Sequence, residues 1–396
     1  MTEKRKSPAL RFRGYTDDWE QRKLGDVVQI TMGQSPDGST YSDEPSDYIL
    51  VQGNADLQNG WVCPRIWTTQ ITKKADAGDL IMSVRAPAGA MGKTAYNAVI
   101  GRGVAAIKGN EFIYQLLVKM DTDGFWKTLS CGSTFESLNS DNIKNAEVKI
   151  PTTAEQIKIG GFFQYLDNLI TLHQRKLEKL KLVKKSMLEK MFPKNGSSVP
   201  EIRFKGFTDD WEQRKLGEIL QERNTRTSDF ESNPLYSLTI ESGVTPKTDR
   251  YERSSLVTKT EDLFKIVKPN EFVTNPMNLR FGALGYNRNA FTVSVSGYYD
   301  VFSIDDDKCS GFWNSYFKTL TAMNIFDNAA TGSLIEKRRV KYSTLQQLAF
   351  YMPNDLSEKA EIGKYMDTFD NLITLHQRKV EKLKILKKSM LEKMFV

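Results

Sequence analysis

Histidine is all but missing from these 396 residues: His173 and His376 are the only two, and Cys63, Cys131 and Cys309 are the only cysteines. Metal centres are built from clustered imidazole, thiolate and carboxylate ligands, so this scarcity leaves no basis for one. Three cysteines without a Cys-x-x-Cys pair form no even disulfide framework, which fits free thiols in a reducing cytosol. No apolar run reaches the roughly 18 residues that a membrane-crossing helix needs. The first residues, MTEKRKSPAL, are charged and contain no apolar signal region. The expectation is a soluble, cytoplasmic protein with no membrane association.

Catalytic signatures are missing too. Residues 89–94, GAMGKT, look like the end of a phosphate-binding loop. The first glycine of such a loop would fall at Pro87, and no acidic strand partner is evident. Residues 101–106, GRGVAA, resemble a dinucleotide fingerprint without the helix that must follow it. Residues 275–278, NPMN, lack the second proline and the aromatic residue of the Asn-Pro-Pro-aromatic motif of amino-methyltransferases. No nucleophile stands beside a base. The chain reads as a recognition protein rather than a catalyst.

What the sequence has instead is repetition. Residues 167–192, DNLITLHQRKLEKLKLVKKSMLEKMF, return at 370–395 with 23 of 26 positions identical. Both copies lack Gly and Pro and are rich in good helix formers. Leu166, Ile170, His173, Leu177, Leu180, Met187 and Met191 recur at alternating steps of three and four, the seam of a coiled-coil helix, with Lys184 falling in the stripe. Phe369, Ile373, His376, Val380, Leu383, Met390 and Met394 repeat that seam, and the narrow stripes between charged flanks indicate that the two helices pack on each other. The paired histidines read as polar residues that fix register. The net charge of +7 sits here: each copy carries seven Lys/Arg against three Asp/Glu, so the pair holds +8 and the rest of the chain −1. A basic balance confined to helix faces says little about the other parts.

A second repeat precedes each helix. Residues 11–25, RFRGYTDDWEQRKLG, match residues 203–217 at 13 of 15 positions. Trp19 and Trp211 anchor this motif. Between motif and helix lie two blocks, 26–150 and 218–352, that hardly resemble each other. Strand signals fall at 27–30, 48–52, 79–84 and 104–107 in the first, and at 235–240, 272–274, 291–295 and 298–304 in the second. Helical stretches follow at 111–119 and 312–320, with polar Gly-Ser loops at 128–138 and around Gly332-Ser333. Each block closes on a strand and a proline, Ile150-Pro151 and Met352-Pro353. A short helical segment comes next (155–163, 357–366), and then the long helix. The order is close to a circle cut open between Val396 and Pro8. Two matched frames around two different inserts suggest one job done on two different objects.

Together these features resemble the DNA-specificity subunit of type I restriction–modification systems, over essentially the whole chain. The strongest carriers are Trp19-Glu20-Gln21-Arg22-Lys23-Leu24-Gly25 leading into the first block, and Ile150-Pro151 with Glu155-Gln156-Ile157, Leu166-Asp167 and Ile170 leading out of it. Residues 78–89, GDLIMSVRAPAG, and 132–135, GSTF, resemble pieces of target-recognition domains, as do 275–285 and 332–334. Lys359 departs from the family's usual Gln beside Glu358, which puts the local capping in question.

The resemblance implies an α+β fold: two mixed, mostly β target-recognition domains separated by two long antiparallel coiled-coil helices with pseudo-two-fold, circular symmetry. The first domain spans 1–150, the first spacer helix region 151–193, linker and second domain 194–352, and the second spacer helix region 353–396. It further implies a non-catalytic subunit. The complex would be a type I site-specific deoxyribonuclease and adenine-N6 DNA methyltransferase. Partners would be double-stranded DNA, two methylase subunits docked on the helices, and nuclease/translocase subunits. S-adenosylmethionine, ATP and magnesium would belong to those partners, with no cofactor in this chain. The near-neutral blocks leave open a scaffold or adaptor whose two β domains bind protein or glycan ligands.

Base reading needs donors and acceptors that reach the major groove. Polarity beside turns and strand ends picks out Gln34, Ser35, Asn54, Arg85, Lys93, Asn97 and Arg102 in the first block, and Asn278, Arg280, Asn287, Arg288 and Tyr298 in the second. Lys337, Arg338 and Arg339 fit phosphate contacts better. A helix of 26 residues is about 39 Å long, against about 34 Å for one turn of DNA.

Overall fold

The computed structural model describes residues 7–129, 137–194, 196–247, 263–305, 309–334 and 338–396. Cysteine 131, the 132–135 segment and Lys337 lie outside the described residues. The chain forms two compact units, one of residues 1–175 with 376–396 and the other of 176–375.

In unit one, the tryptophan motif becomes the strand Glu20–Lys23, antiparallel to Glu147–Ile150 with Glu20 opposite Ile150. The main sheet has six strands. Its core order is Gln29–Met32, Val104–Lys108, Leu80–Ser83 and Met91–Lys93, continued by Trp61–Val62 and Leu57–Gln58. The runs at 80–83 and 104–107 are buried on both faces, and their period of two feeds two cores. Leu80, Met82, Ala105 and Ile107 point into a large aromatic cluster with Trp19, Phe112 and Phe163. Ile81, Val104 and Ala106 point into a smaller aliphatic one with Val51 and Ile100. The latter lies against a second sheet that includes Tyr48–Val51 and Ala98–Ile100, paired in parallel.

Unit two repeats this plan with different residues. Glu212–Lys215 pairs with Ala349–Met352. A four-stranded sheet runs Leu220–Arg223, Asp300–Ile304, Phe272–Thr274 and Leu284–Tyr286. Phe272 and Phe302 enter the aromatic cluster, whereas Val273 and Val301 enter the aliphatic one. The helices Ser310–Tyr316 and Leu320–Ala329 follow.

The expected pair of a short and a long helix is in each case one continuous helix, Thr153–Lys190 and Leu356–Met394. Glycine does not break it, because it is needed there. A Cβ on Gly160 would lie 2.9 Å from the backbone N of Phe112, and one on Gly363 2.7 Å from that of Phe312. The glycines let the next helix of each unit approach the long-helix backbone. Each long helix contributes its beginning to one unit and its end to the other. Phe395 stacks on Phe112 at 5.1 Å and meets Trp19 edge-on at 6.2 Å in unit one. Phe192 takes the matching place beside Phe312 and Trp211 in unit two.

Within each unit the two helix segments run antiparallel. In unit one, Nδ1 of His173 meets Nδ1 of His376, and Lys387 donates to Asp167 at 2.7 Å. In unit two, Lys184 donates to Asp370. Lys184, which interrupts the apolar stripe, is thus a cross-helix ion-pair position. Among the other seam positions, Leu166, Ile170, Met191, Val380 and Met394 are buried, and His173, Leu177, Leu180, Met187, Phe369, Ile373, His376, Leu383 and Met390 are half-buried.

Each tryptophan motif is tied to the long helix of its own unit by a bidentate pair. Arg11 donates to both oxygens of Glu155 at 2.9 and 2.7 Å, and Arg203 to both of Glu358 at 2.8 Å. Fork-on-carboxylate pairing of this kind is the strong form of the interaction. Lys359, the departure from the family pattern, is 6% exposed and sets its ammonium 5.4 Å over the Trp313 ring. Gln156, its counterpart, donates to the Pro151 carbonyl at 3.0 Å.

Candidate nucleic-acid interface

Strand register gives each main sheet two unlike ends. In unit one, Ile107 lies opposite Leu80 at one end and Val104 opposite Ser83 at the other. The Ile107 end runs into the helix Glu111–Thr122 and so onto the long helix. At the Val104 end four loops converge. Gly33 N donates to Val104 O at 3.0 Å and Gln34 N to Ile100 O at 2.8 Å. Val84 N donates to Gly103 O, and Gly101 N to Val51 O, both at 2.8 Å. Backbones here touch so closely that no side chain fits at Gly33 or Gly103. Ideal Cβ atoms would fall 2.1 Å from Gly101 O and 2.0 Å from Gln52 O.

This loop end gathers five of the sequence candidates. Gln34, Arg85 and Arg102 are exposed, and Ser35 and Asn54 are half-buried. Ser35 Oγ accepts from Arg102 N at 3.1 Å and Arg102 Nε at 3.4 Å. Asn54 opens a turn pinned by buried Asp56, whose carboxylate accepts from Gln52 N at 2.7 Å and Gly53 N at 3.1 Å. Neither Arg85 nor Arg102 has a carboxylate partner among the described residues. Two cations held away from acids and aimed at solvent suit a polyanionic partner.

Unit two has the same end. Val301 lies opposite Arg223 and Asp300 opposite Thr274. The 275–283 loop stands there beside the 338–340 segment, with Val340 N donating to Pro276 O at 2.9 Å. Asn278, Tyr298 and Arg339 are exposed at this end. Arg339 exchanges two backbone hydrogen bonds with Thr331 at 2.9 and 3.0 Å, which fixes its position.

Other candidates spend their polar atoms on partners within the protein. Lys93 lies at the helix end, donates to Glu111 at 2.9 Å and covers the Trp61 and Tyr114 rings. Asn97 is exposed at the opposite end of its strand from Gly101 and accepts from Ala77 N. Arg280 is packed on the Phe281 ring at 4.4 Å and pairs with Asp327 at 3.0 Å. Asn287 is fully buried and donates to the Val267 and Phe291 carbonyls. Arg288 reaches Asp367 and Asp370 on the long helix at 3.0 and 2.9 Å. Arg338 closes a loop by donating to the Asp327 and Ala330 carbonyls.

Lys93 and Arg288 belong to the seat of each unit on its helices. Glu111 and Asp167 share the Gln115 amide in unit one, at 2.9 and 2.8 Å. In unit two Arg288, Lys184 and Tyr286 surround Asp367 and Asp370. Burial would raise the Asp370 carboxyl, yet Lys184 and Arg288 hold it below its ordinary range. Burial dominates at Asp367 and raises it. Sequence reading missed Gln52, Arg65 and Arg226 near the loop ends. Arg226 has its Nη1 3.4 Å from Leu263 O. No local signal marks them, since only sheet register brings them to the site. Among the described residues, no group of three or more His, Cys, Asp or Glu is placed to hold a metal ion, and no helix is long and apolar enough to cross a membrane.

The sequence profile of the type I restriction modification DNA specificity domain matches residues 16–182 and, a second time, residues 208–384. The chain belongs to this family. Each match runs from a tryptophan motif through one set of strands into a long helix. A putative type I restriction enzyme MjaX specificity subunit from Methanocaldococcus jannaschii is 29% identical over 182 residues, 43% of this chain and 42% of the relative. The type I restriction enzyme MjaIX specificity subunit of the same organism is 26% identical over 235 residues, 52% of each. The chain thus spans about half the length of the relatives it matches. The crystal structure of a type-I restriction-modification system S subunit from M. genitalium superimposes with a TM-score of 0.70, covering 98% of this chain and 99% of that one at 12% identity. Its fold is therefore the family's fold, over the whole length.

Proposed function

We propose that this chain is the specificity subunit of a type I restriction–modification complex: a non-catalytic, sequence-specific reader of double-stranded DNA. The observation that carries this reading is the double family match, in which two equivalent frames present two different loop ends. Two dissimilar readers in one chain call for an asymmetric target in two parts. Gln34, Ser35, Asn54, Arg85 and Arg102 serve the first half-site, and Asn278, Tyr298 and Arg339 the second. Base edges in the major groove are told apart by such donors and acceptors, while the free cations also meet phosphates.

The long helices act as spacer and as docking surface for two methylase subunits. Leu172 and Ile385 in unit one, and Leu182 and Leu375 in unit two, remain 45–69% exposed on them, and exposed apolar side chains suit an interaction surface. Nuclease/translocase subunits complete the restriction complex in the cytoplasm. S-adenosylmethionine, ATP and magnesium enter with the partners.

The test is single-molecule methylome sequencing of cells carrying this chain with its cognate methylase, against cells lacking the chain. A split, asymmetric motif with methyladenine in both halves is expected. Absence of any motif that depends on the chain would overturn the reading.

A further inference from the structure

Resting on that reading, we propose that Arg102 is the guanine-reading residue of unit one. Arg102 stands at the tip of the turn between the strands Ala98–Ile100 and Val104–Lys108. The turn is fixed from three sides. Gly101 N donates to Val51 O and Val84 N to Gly103 O, both at 2.8 Å. The flanking Gly103 lies so close to Gln52 O that any Cβ would collide with it, at 2.0 Å. A phosphate contact needs no such rigid mount, since a flexible cation neutralises a phosphate equally well. A base contact does need one.

The side chain is oriented as well as mounted. Ser35 Oγ accepts from both Arg102 N and Arg102 Nε, which holds the near edge of the guanidinium. The far edge, the Nη1 and Nη2 fork, has no hydrogen-bond partner among the described residues. With no acid paired to it among the described residues, that fork matches guanine O6 and N7, the commonest specific contact of arginine in the major groove. Exposed Arg85 stands on the adjoining loop, where its charge suits the neighbouring phosphate.

Sheet register supplies an internal comparison. The turn after Val293–Val295 and before Asp300–Ile304 is the counterpart in unit two, and it carries Tyr298. The position of Ser35, three residues past its strand, is taken there by Arg226. A Cβ on Gly297 in that turn would lie 3.0 Å from Arg226 Nη1. The two units therefore present different chemistry at one equivalent place, and the Arg102 fork belongs to the first half-site alone.

The experiment uses the full chain in complex with its methylase, and duplexes built on the methylome motif with each base pair changed in turn. Arg102→Ala should weaken binding of the intact target by about ten- to a hundredfold. It should also erase discrimination at one G·C pair, in the half-site left untouched by Asn278→Ala. Arg102→Lys should recover affinity with weaker discrimination, since a point charge reaches O6 and N7 without the planar fork, and Ser35→Ala should blur the same pair only. Retained readout of the other half-site shows that the variant is folded. Equal weakening on every duplex would make Arg102 a phosphate contact and overturn the proposal, as would unchanged binding or relaxation at an A·T pair. A wild-type complex with no base preference anywhere would instead sink the DNA-specificity reading itself.

Discussion

His173 and His376 face each other across the helix pair with their Nδ1 atoms 2.9 Å apart and their rings 5.0 Å apart. They are the chain's only histidines and occupy the same position of the two repeats. Two ring nitrogens at that distance share one proton, so each histidine needs the other. A polar contact set between apolar seam residues fixes register, because a slip brings each imidazole against an aliphatic side chain such as Ile170, Leu177, Ile373 or Val380. His173→Leu alone should therefore cost about 1 kcal/mol. The double change His173→Leu with His376→Leu should cost less than the sum of the singles, with a coupling of at least about 0.5 kcal/mol. Urea unfolding of the four proteins measures it, and strict additivity would remove the register role.

Adjacent glycines in one helix give opposite predictions. Gly160 faces the backbone N of Phe112, and a Cβ there would sit at 2.9 Å, with Glu111 Cβ at 3.1 Å. Gly161 has nothing within 4 Å of its Cβ position and is exposed. Gly161→Ala should stabilise by about 0.5–1 kcal/mol through helix propensity. Gly160→Ala gains the same propensity yet must push two backbones apart, so a net loss of about 1–2 kcal/mol is expected. Thermal unfolding of the two variants decides. Equal stabilisation would mean that the contact relaxes freely.

Much of this architecture was legible because the repeats announce it. The seam from Leu166 to Met191 follows from spacing alone, and the strands at 48–51, 80–83, 104–108 and 272–274 stand where apolar runs lie between turn residues. The family resemblance read from the motifs agrees with the family profile. The single long helices were less legible: Gly160 and Gly363 lie inside the segments expected at 155–163 and 357–366, no Gly or Pro parts those segments from the long helix, and the packed backbone that calls for the glycines shows only in the fold. The site was less legible. Arg288 and Arg102 look alike in sequence, each a lone arginine beside a turn. Register sends Arg288 to the helix end and its carboxylates, and Arg102 to the loop end and solvent. Pairing between distant strands decides that difference, and neighbours in the chain carry no trace of it.

Lys318 gives unit two a pH dependence. Burial pushes its ammonium down to about 8, and Lys184 and Arg288 push the same way while Asp370 opposes them. The ordinary lysine value is 10.5. Below pH 8 folded and unfolded chains both hold this proton, and the group's unfavourable contribution is constant. Between about 8 and 10.5 the unfolded chain binds more protons than the folded one, so stability rises with pH. Lys318→Met should raise stability at pH 7 by about 1–2 kcal/mol, a shift of this size discounted for partial exposure, and should flatten the rise. Urea midpoints at pH 7 and 9.5 test this. A wild-type curve that falls across that window would contradict it.

The spacer role can be tested by lengthening both helices together. A seven-residue insertion keeps the heptad seam, and placing it after Arg175 and after Leu375, where the two units part, leaves the His173–His376 contact within unit one. The end pairs Lys387 with Asp167 and Lys184 with Asp370 then stay within their own units. Each helix gains about 10 Å at about 1.5 Å per residue, close to three base pairs at about 34 Å per turn. Methylome sequencing should show the gap of the bipartite motif lengthened by two to four base pairs, with the bases of both half-sites unchanged, because neither loop end is touched. New half-site bases at the old gap would show that the helices take part in base reading and do not set the spacing.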